Sequence, residues 1–435
     1  MNRVTVIGAG LAGCEAAYRA ANAGCEVILY DMKPHKMSPA HRSEKLCELV
    51  CSNSLRSNSV ENAVGLLKEE MRLLGSLVME AADMSSVPAG GALAVDREIF
   101  SSYVTEKILN HPSITLVHEE VVKIPEGITV IATGPLTSDA FSLEIARLTG
   151  DEHLHFYDAA APIVEASSIN TSVAYLASRY GKGDAAYLNC PMNEQEYTAF
   201  YRELISARRA ELHEFEKDPK VFEGCMPVEI MAQRGVDTLR FGPLKPVGLP
   251  DPRTGKEPYA VLQLRAENKE GTMYNLVGFQ TNLAFPEQKR VFGMIPGLEN
   301  AEFLRYGVMH RDTYINSPGL LDRRYSLIKR PEIFFAGQIT GVEGYVESAA
   351  SGIVAGANAA ASALGTKPFL PSSLSMIGAM AAYVSGPPVA DFQPMNANFG
   401  LIAPLDRKVK GGKRARYAYY AERSLSYMKE LVKEA

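Results

Sequence analysis

Six cysteines, Cys14, Cys25, Cys47, Cys51, Cys190 and Cys225, are scattered too thinly along this 435-residue chain for a disulfide framework. Each is therefore core filler, metal ligand or nucleophile. Cys51 lies in ELVCSNSLRSNSVENAVG, Glu48 to Gly65, followed by Ser52, Asn53 and Ser54 and then by Arg56. Polar neighbours and a nearby cation can keep a thiol reactive. Cys225, in FEGCMPVEI, has Gly224 freeing the backbone before it and Pro227 fixing the chain after it. That setting suits a thiol held out of regular structure, and it equally suits a plain turn. Cys47 and Cys51, four apart, would share one face of a helix, with His35 and His41 nearby. The spacing matches no common zinc site, so no metal is expected. Cys14 and Cys25 read as small core side chains, and Cys190 carries no partner signal.

The elements that must position such thiols begin at the N-terminus. VTVIGAGLAGCEAAYRAANAGCEVILYDM reads as a buried strand from Val4 to Ile7, a glycine turn, a helix to Ala23 and a second strand ending at Asp31. Gly8, Gly10 and Gly13 have the G-x-G-x-x-G spacing of a dinucleotide site. Gly8 permits the tight turn, Gly10 lets backbone approach a pyrophosphate, and Gly13 lets helix and strand pack closely. The intervening Ala9, Leu11 and Ala12 bring the free N–H groups of the helix start to the phosphates. Asp31, eighteen residues beyond Gly13, is placed for ribose hydroxyls. The motif alone does not separate NAD from FAD.

Two later segments narrow that choice. ITVIATGP, ending near Gly134, is a second apolar run, and EIFFAGQITGVEGYVESAASGIVAGANAAASALG reads as strand, glycine-rich turn and small-residue helix. They resemble the closing elements of FAD-dependent two-dinucleotide-fold enzymes. On that likeness Gly337, Gln338, Gly341 and Tyr345 join the cofactor site. Gln338 stands where those enzymes usually carry an acid, and Tyr345 could stack on a ring or simply pack in the core.

A chain of this length exceeds what one core supports, and its 46% apolar and 22% charged residues are ordinary for a soluble globular protein. The expected fold is α/β: a discontinuous Rossmann-like FAD-binding domain over 1–164 and 301–365, an inserted α+β domain over 165–300, and a helical C-terminal tail over 366–435 packed on the FAD domain. Within the insertion, Asn193 and Glu196 form a capping box. Tyr197, Phe200, Tyr201, Leu204, Ile205, Leu212 and Phe215 follow on one helical face. YAVLQLR and TMYNLVGFQT read as a hairpin. The first strand begins too early to leave room for a signal peptide, and no apolar stretch reaches membrane-spanning length. A cytoplasmic protein is expected. The net charge of -5 argues against general coating of nucleic acid. Yet Arg407, Lys408, Lys410, Lys413, Arg414 and Arg416 stand beside Tyr417, Tyr419 and Tyr420, a mixture that suits RNA or a merely solvated helix start.

The stretches VIGAGLAGCEAA, ELVCSNSLRSN, VPAGGALAVDR, ATGPLTS, YDAAAPIV, FEGCMPVE, FGPLKPVGL, GFQTNL, YGVMHRDTYINSP, FFAGQITGVEGYVESAASG and FQPMNANFGL run from the first strand to the tail. Together they resemble the flavin- and folate-dependent tRNA uracil methyltransferases, the TrmFO family, whose larger relative MnmG (GidA) shares the first motif. The resemblance implies methylation of carbon 5 of a uridine, uridine 54 in the T arm of tRNA. It also implies 5,10-methylenetetrahydrofolate as carbon donor, reduced FAD as reductant, and NADPH or NADH to reload it. It implies that Cys225 adds to carbon 6 of the uracil and that Cys51 takes the carbon 5 proton or assists at the flavin. Arg56, Arg311, Lys413 and Arg414 are the expected RNA contacts; neither DNA nor a membrane is an expected partner. Two other readings stay open: the same chemistry on a ribosomal RNA, and an FAD oxidoreductase acting on a small metabolite. A third rival, of another class, is a flavin-binding RNA protein without catalysis: a simple oxidase would need neither thiol, and a binding module would need no folate.

Overall fold

The computed structural model describes residues 2–38, 40–150, 154–159, 161–181, 184–210, 226–307, 309–389, 392–406 and 409–434. Its first sheet has the order Ser326–Leu327, Arg330–Phe335, Thr129–Ile131, Arg3–Ile7, Glu26–Asp31, Ile114–His118. All neighbours run parallel except the two-residue edge strand. Val4, Val6, Leu29, Val130 and Phe334 are completely buried. Such unbroken apolar runs are what a parallel sheet covered by helices requires. The expected Rossmann-like α/β architecture is the one observed.

The second sheet is antiparallel throughout, in the order Tyr175–Ala177, Tyr187–Met192, Ala260–Ala266, Met273–Leu276, Ile163–Glu165, Phe303–Arg305. It has its own core, which includes Cys190, Phe200, Leu262, Phe279 and Phe292. The chain passes to it and back through the paired strands Leu154–Ala159 and Met309–Tyr314. The capping box forms: Asn193 Oδ1 accepts from the Glu196 N–H at 2.9 Å, and Glu196 Oε2 accepts from the Asn193 N–H at 2.7 Å. The helix then stops at Ser206, because Ala207 is extended and Ala210 donates its N–H to the Asn282 carbonyl at 2.8 Å. The expected apolar stripe is correspondingly shorter. Tyr197, Phe200 and Leu204 are buried, Ile205 is exposed, and Leu212 and Phe215 lie outside the described residues.

Two features fix the frame around the nucleotide motif. Helix Leu11–Asn22 crosses helix Tyr345–Leu364 at Gly352 and Gly356, where a Cβ would stand 2.2 Å from the Ala12 carbonyl oxygen and 2.5 Å from that of Ala16. Backbone meets backbone there, which explains the small-residue composition of the late helix. Buried Glu70 accepts from the N–H groups of Met376 and Ile377 at 2.7 and 2.8 Å and from the Ser424 hydroxyl, so one carboxyl caps helix Met376–Val384 and holds the C-terminal helix Gly412–Glu434. Burial pushes its pKa up to about 7. The tail therefore packs on the nucleotide-binding body.

Candidate functional site

The first strand delivers Gly8 at φ +98, with its missing Cβ position only 2.5 Å from the Ala132 carbonyl oxygen. Gly13 is tighter: a Cβ there would lie 1.7 Å from the Gly8 carbonyl oxygen. Both positions exclude any side chain, as the spacing requires. Helix Leu11–Asn22 starts at Gly10 with no side-chain cap and no acid in its first turn, leaving its N–H groups toward a cleft lined by Gly8 to Ala12. Asp31 lines the same cleft; its carboxylate accepts from the Ala9 N–H at 3.1 Å and the Lys33 N–H at 2.8 Å. An uncapped helix start, a side-chain-free turn and a carboxylate at the next strand end fit the pyrophosphate and ribose of a dinucleotide.

Thr133 to Ser138, including Gly134, form another wall, and Gly337, Gln338, Tyr345 and Ser348 close the far side. Gly341 does not line the cleft. At φ +82 it turns the chain with its α-carbon facing Phe392, whose ring a Cβ would meet at 2.3 Å, so its role is in packing. The Gln338 amide donates to Glu343 Oε2 at 3.0 Å, but Glu343 is buried and does not line the cleft.

Cys51 stands on the cleft wall. The expectation that Cys47 and Cys51 share a helix face is wrong: no helix covers them, because Cys47 takes φ +54 and donates its N–H to the Ala9 carbonyl. Cys47 is buried beside Cys14. The Cys14 thiol, hydrogen-bonded to Cys47 and buried, is held well above the ordinary thiol range. Burial also raises Cys25, and it pushes Cys190 up to about 12, so these thiols are inert core groups. Cys51 alone among the described cysteines is partly exposed. Cys225 lies outside the described residues. The chain just after it is firmly held: Glu229, one turn on, accepts from the Asn282 N–H and the Thr281 hydroxyl, each at 2.8 Å.

The Cys51 loop is anchored from three sides, by Tyr345, which the sequence already offers as a site residue, and by Arg97 and Arg265, which it does not. The Tyr345 hydroxyl accepts from the N–H groups of Cys51 at 2.6 Å and Ser52 at 3.2 Å, tying the loop to the start of the late helix. Arg97 donates to the Leu49 carbonyl at 2.7 Å, while its Nε stands 2.7 Å from buried Glu267, an ion-pair distance at an angle too poor for a linear hydrogen bond. Arg265, in the second sheet, donates to Ser52 and Asn53, both at 2.8 Å. Burial lowers the pKa of Arg305, whose charge also interacts with those of Arg97, Cys51, Tyr345 and Glu267. The loop is thus clamped between the two bodies by residues 48 to 294 positions away, which no local pattern announces.

The expected RNA contacts fare differently. Arg56, at φ +62, gives its guanidinium to the buried carboxylate of Glu347, which also accepts the Ala397 N–H at 2.8 Å; that tie is structural. Arg414 pairs with Glu61 at 2.8 Å and stays largely exposed, and exposed Lys413 lies over the Tyr417 ring at 5.4 Å. The side chain of Arg311 lies outside the described residues.

Comparison with known proteins gives a consistent result. The family described as glucose inhibited division protein A matches residues 3–367. A methylenetetrahydrofolate–tRNA-(uracil-5-)-methyltransferase TrmFO from Listeria innocua is 59% identical over 431 residues, covering 99% of each chain. The protein of that name from Heliobacterium modesticaldum is 61% identical over 432 residues, covering 99% of this chain and 98% of its own. Among solved structures, GidA of Aquifex aeolicus superposes with a TM-score of 0.71 over 99% of this chain and 73% of its own, at 19% identity, a likeness of fold.

Proposed function

Because the chain belongs to the TrmFO family, we propose that it methylates carbon 5 of uridine 54 in the T arm of tRNA, with bound FAD as reductant. At the coarser level it is a folate-dependent tRNA uracil-5 methyltransferase, with 5,10-methylenetetrahydrofolate as carbon donor. The observation that carries the reading is Cys51 on the wall of the dinucleotide cleft, beside Gly8 to Ala12 and Tyr345.

A flavin held by the Gly8–Gly13 turn, Asp31 and the Gly337–Tyr345 segment would supply the electrons that reduce the transferred carbon, reloaded by NADPH or NADH. The chain's own residues do the rest. Carbon 5 of uracil is a weak nucleophile, and the Cys225 thiolate makes it a strong one by forming a bond to carbon 6. After carbon 5 has gained its new substituent, Cys51 takes the carbon 5 proton, and the sulfur–carbon 6 bond breaks as the ring regains its double bond. The clamp of Arg97, Arg265 and Tyr345 fixes where that base stands. The uridine must leave its stack to arrive there, at a cost of a few kcal/mol. Lys413 and Arg414, exposed at the start of the C-terminal helix, are the proposed phosphate contacts.

The test supplies folate labelled in its methylene carbon, with separated tRNA and ribosomal RNA as acceptors. Label should appear in tRNA at uridine 54 and depend on flavin and on a nicotinamide nucleotide. Label confined to ribosomal RNA, or methyl groups drawn instead from S-adenosylmethionine, would refute it.

A further inference from the structure

Phe303, Tyr306 and Phe285 form a ladder of near-parallel rings. The Phe303 and Tyr306 centroids lie 5.3 Å apart with planes at 2°, and those of Tyr306 and Phe285 lie 4.8 Å apart at 16°. The inner ring packs against the core of the second body, while the outer ring, Phe285, is 51% exposed. A lone exposed phenylalanine needs no explanation. A stack running from a core to the surface does, because the inner rings hold the outermost one in a fixed orientation with much of its surface still in water.

The surroundings name the occupant. The segment leading into Phe285 is fixed by the Ala284 N–H, which donates to the Arg208 carbonyl at 3.0 Å, and by a bridge between Leu283 and Arg209. Arg208, Arg209 and Lys289 are exposed there, while the acids Glu203 and Glu287 are both engaged by Arg290. Between Phe303 and Tyr306 the same strand carries half-buried Arg305, whose charge interacts with those of Arg97, Cys51 and Tyr345. The ladder is therefore adjacent in sequence to a residue electrostatically linked to Cys51 on the cleft wall, and it opens to solvent among cations.

We infer that this ladder is a nucleobase-stacking platform: an unstacked base of the tRNA lies face to face on Phe285, and Arg208, Arg209 and Lys289 take the phosphates beside it. The inference rests on the reading of tRNA as substrate. RNA bases outside a helix are recognised chiefly by stacking on aromatic side chains. Extracting a target uridine strips its neighbours of a stacking partner, and a fixed ring replaces it. The pterin of folate, whose glutamate carboxylates also suit cations, is the rival occupant, and separate KM values for tRNA and folate distinguish the two.

Steady-state kinetics with tRNA and folate varied separately test this on Phe285→Ala, Phe285→Leu and Phe285→Trp, with thermal melting to verify folding. Phe285→Ala and Phe285→Leu should raise KM for tRNA about tenfold, as loss of one base–aromatic stack implies, with KM for folate unchanged. Phe285→Trp should keep the wild-type value. An unchanged tRNA KM in Phe285→Ala removes the platform, and a rise in folate KM instead assigns the ring to folate. Wild-type behaviour of Phe285→Leu reduces the role to apolar packing. A wild-type protein that transfers no folate carbon to tRNA would instead overturn the substrate reading itself.

Discussion

Cys225→Ala and Cys51→Ala proteins are each expected to retain flavin at wild-type stoichiometry and to lose methyl transfer by roughly 10³-fold or more. The backbone of the Cys51 loop is held by the Tyr345 hydroxyl, by Arg97 at Leu49 and by Arg265 at Ser52 and Asn53, and none of these anchors passes through Sγ. The proposed dinucleotide contacts are other residues that line the cleft, Gly8 to Ala12 and Asp31 among them. For Cys225 the expectation rests on the family motif FEGCMPVE together with the firm anchoring of Glu229 just beyond it. Flavin absorbance near 450 nm against protein absorbance gives the occupancy, and labelled-folate incorporation gives the rate. Normal turnover by either variant would remove that thiol from the mechanism.

The second large effect separates two glycines of one motif. Gly13→Ala would place a methyl 1.7 Å from the Gly8 carbonyl oxygen. Gly8 cannot yield, since it sits at φ +98 with its own α-carbon pressed against the backbone of Ala132 and Thr133. The helix would have to lift off the sheet, at a cost of about 3 kcal/mol or more. Gly10→Ala meets no protein atom within 4 Å, because that position faces the cleft. Gly13→Ala should therefore lower the melting temperature of the apoprotein and yield colourless protein. Gly10→Ala should melt like wild type without flavin yet bind flavin more weakly, the added methyl occupying space that the pyrophosphate needs. Equal effects of the two substitutions on the apoprotein would contradict this division of labour.

The contrast between these glycines explains how much was legible in the sequence. The strand, turn, helix and acid of the nucleotide motif are local, and their spacing encodes contacts that each span a few turns of chain. The late strand Arg330–Phe335 and its helix were legible for the same reason, as a β-rich run, a glycine turn and a small-residue stripe. The clamp on Cys51 was not, because Arg97, Arg265 and Glu267 come from separate elements and each alone is an ordinary residue, while Tyr345, legible as a site residue, bonds the Cys51 loop across 294 positions of chain. The same holds for Glu343 beside Gln338 and for Phe285 on Tyr306. The helical reading of Cys47 to Cys51 failed because φ +54 at Cys47 is imposed by its bond to Ala9, a tertiary contact, and no glycine marks the turn.

The central claim is that a thiol of this chain adds to the target uracil while Cys51 serves the same ring. Incubation with tRNA carrying 5-fluorouridine at position 54, in the presence of folate and reductant, tests it directly, because fluorine at carbon 5 prevents the release that proton removal allows. A covalent protein–RNA adduct should accumulate, its digest should yield a cross-linked peptide containing Cys225, and the Cys225→Ala protein should form none. No adduct, or one carried by any residue other than Cys225, would contradict the account.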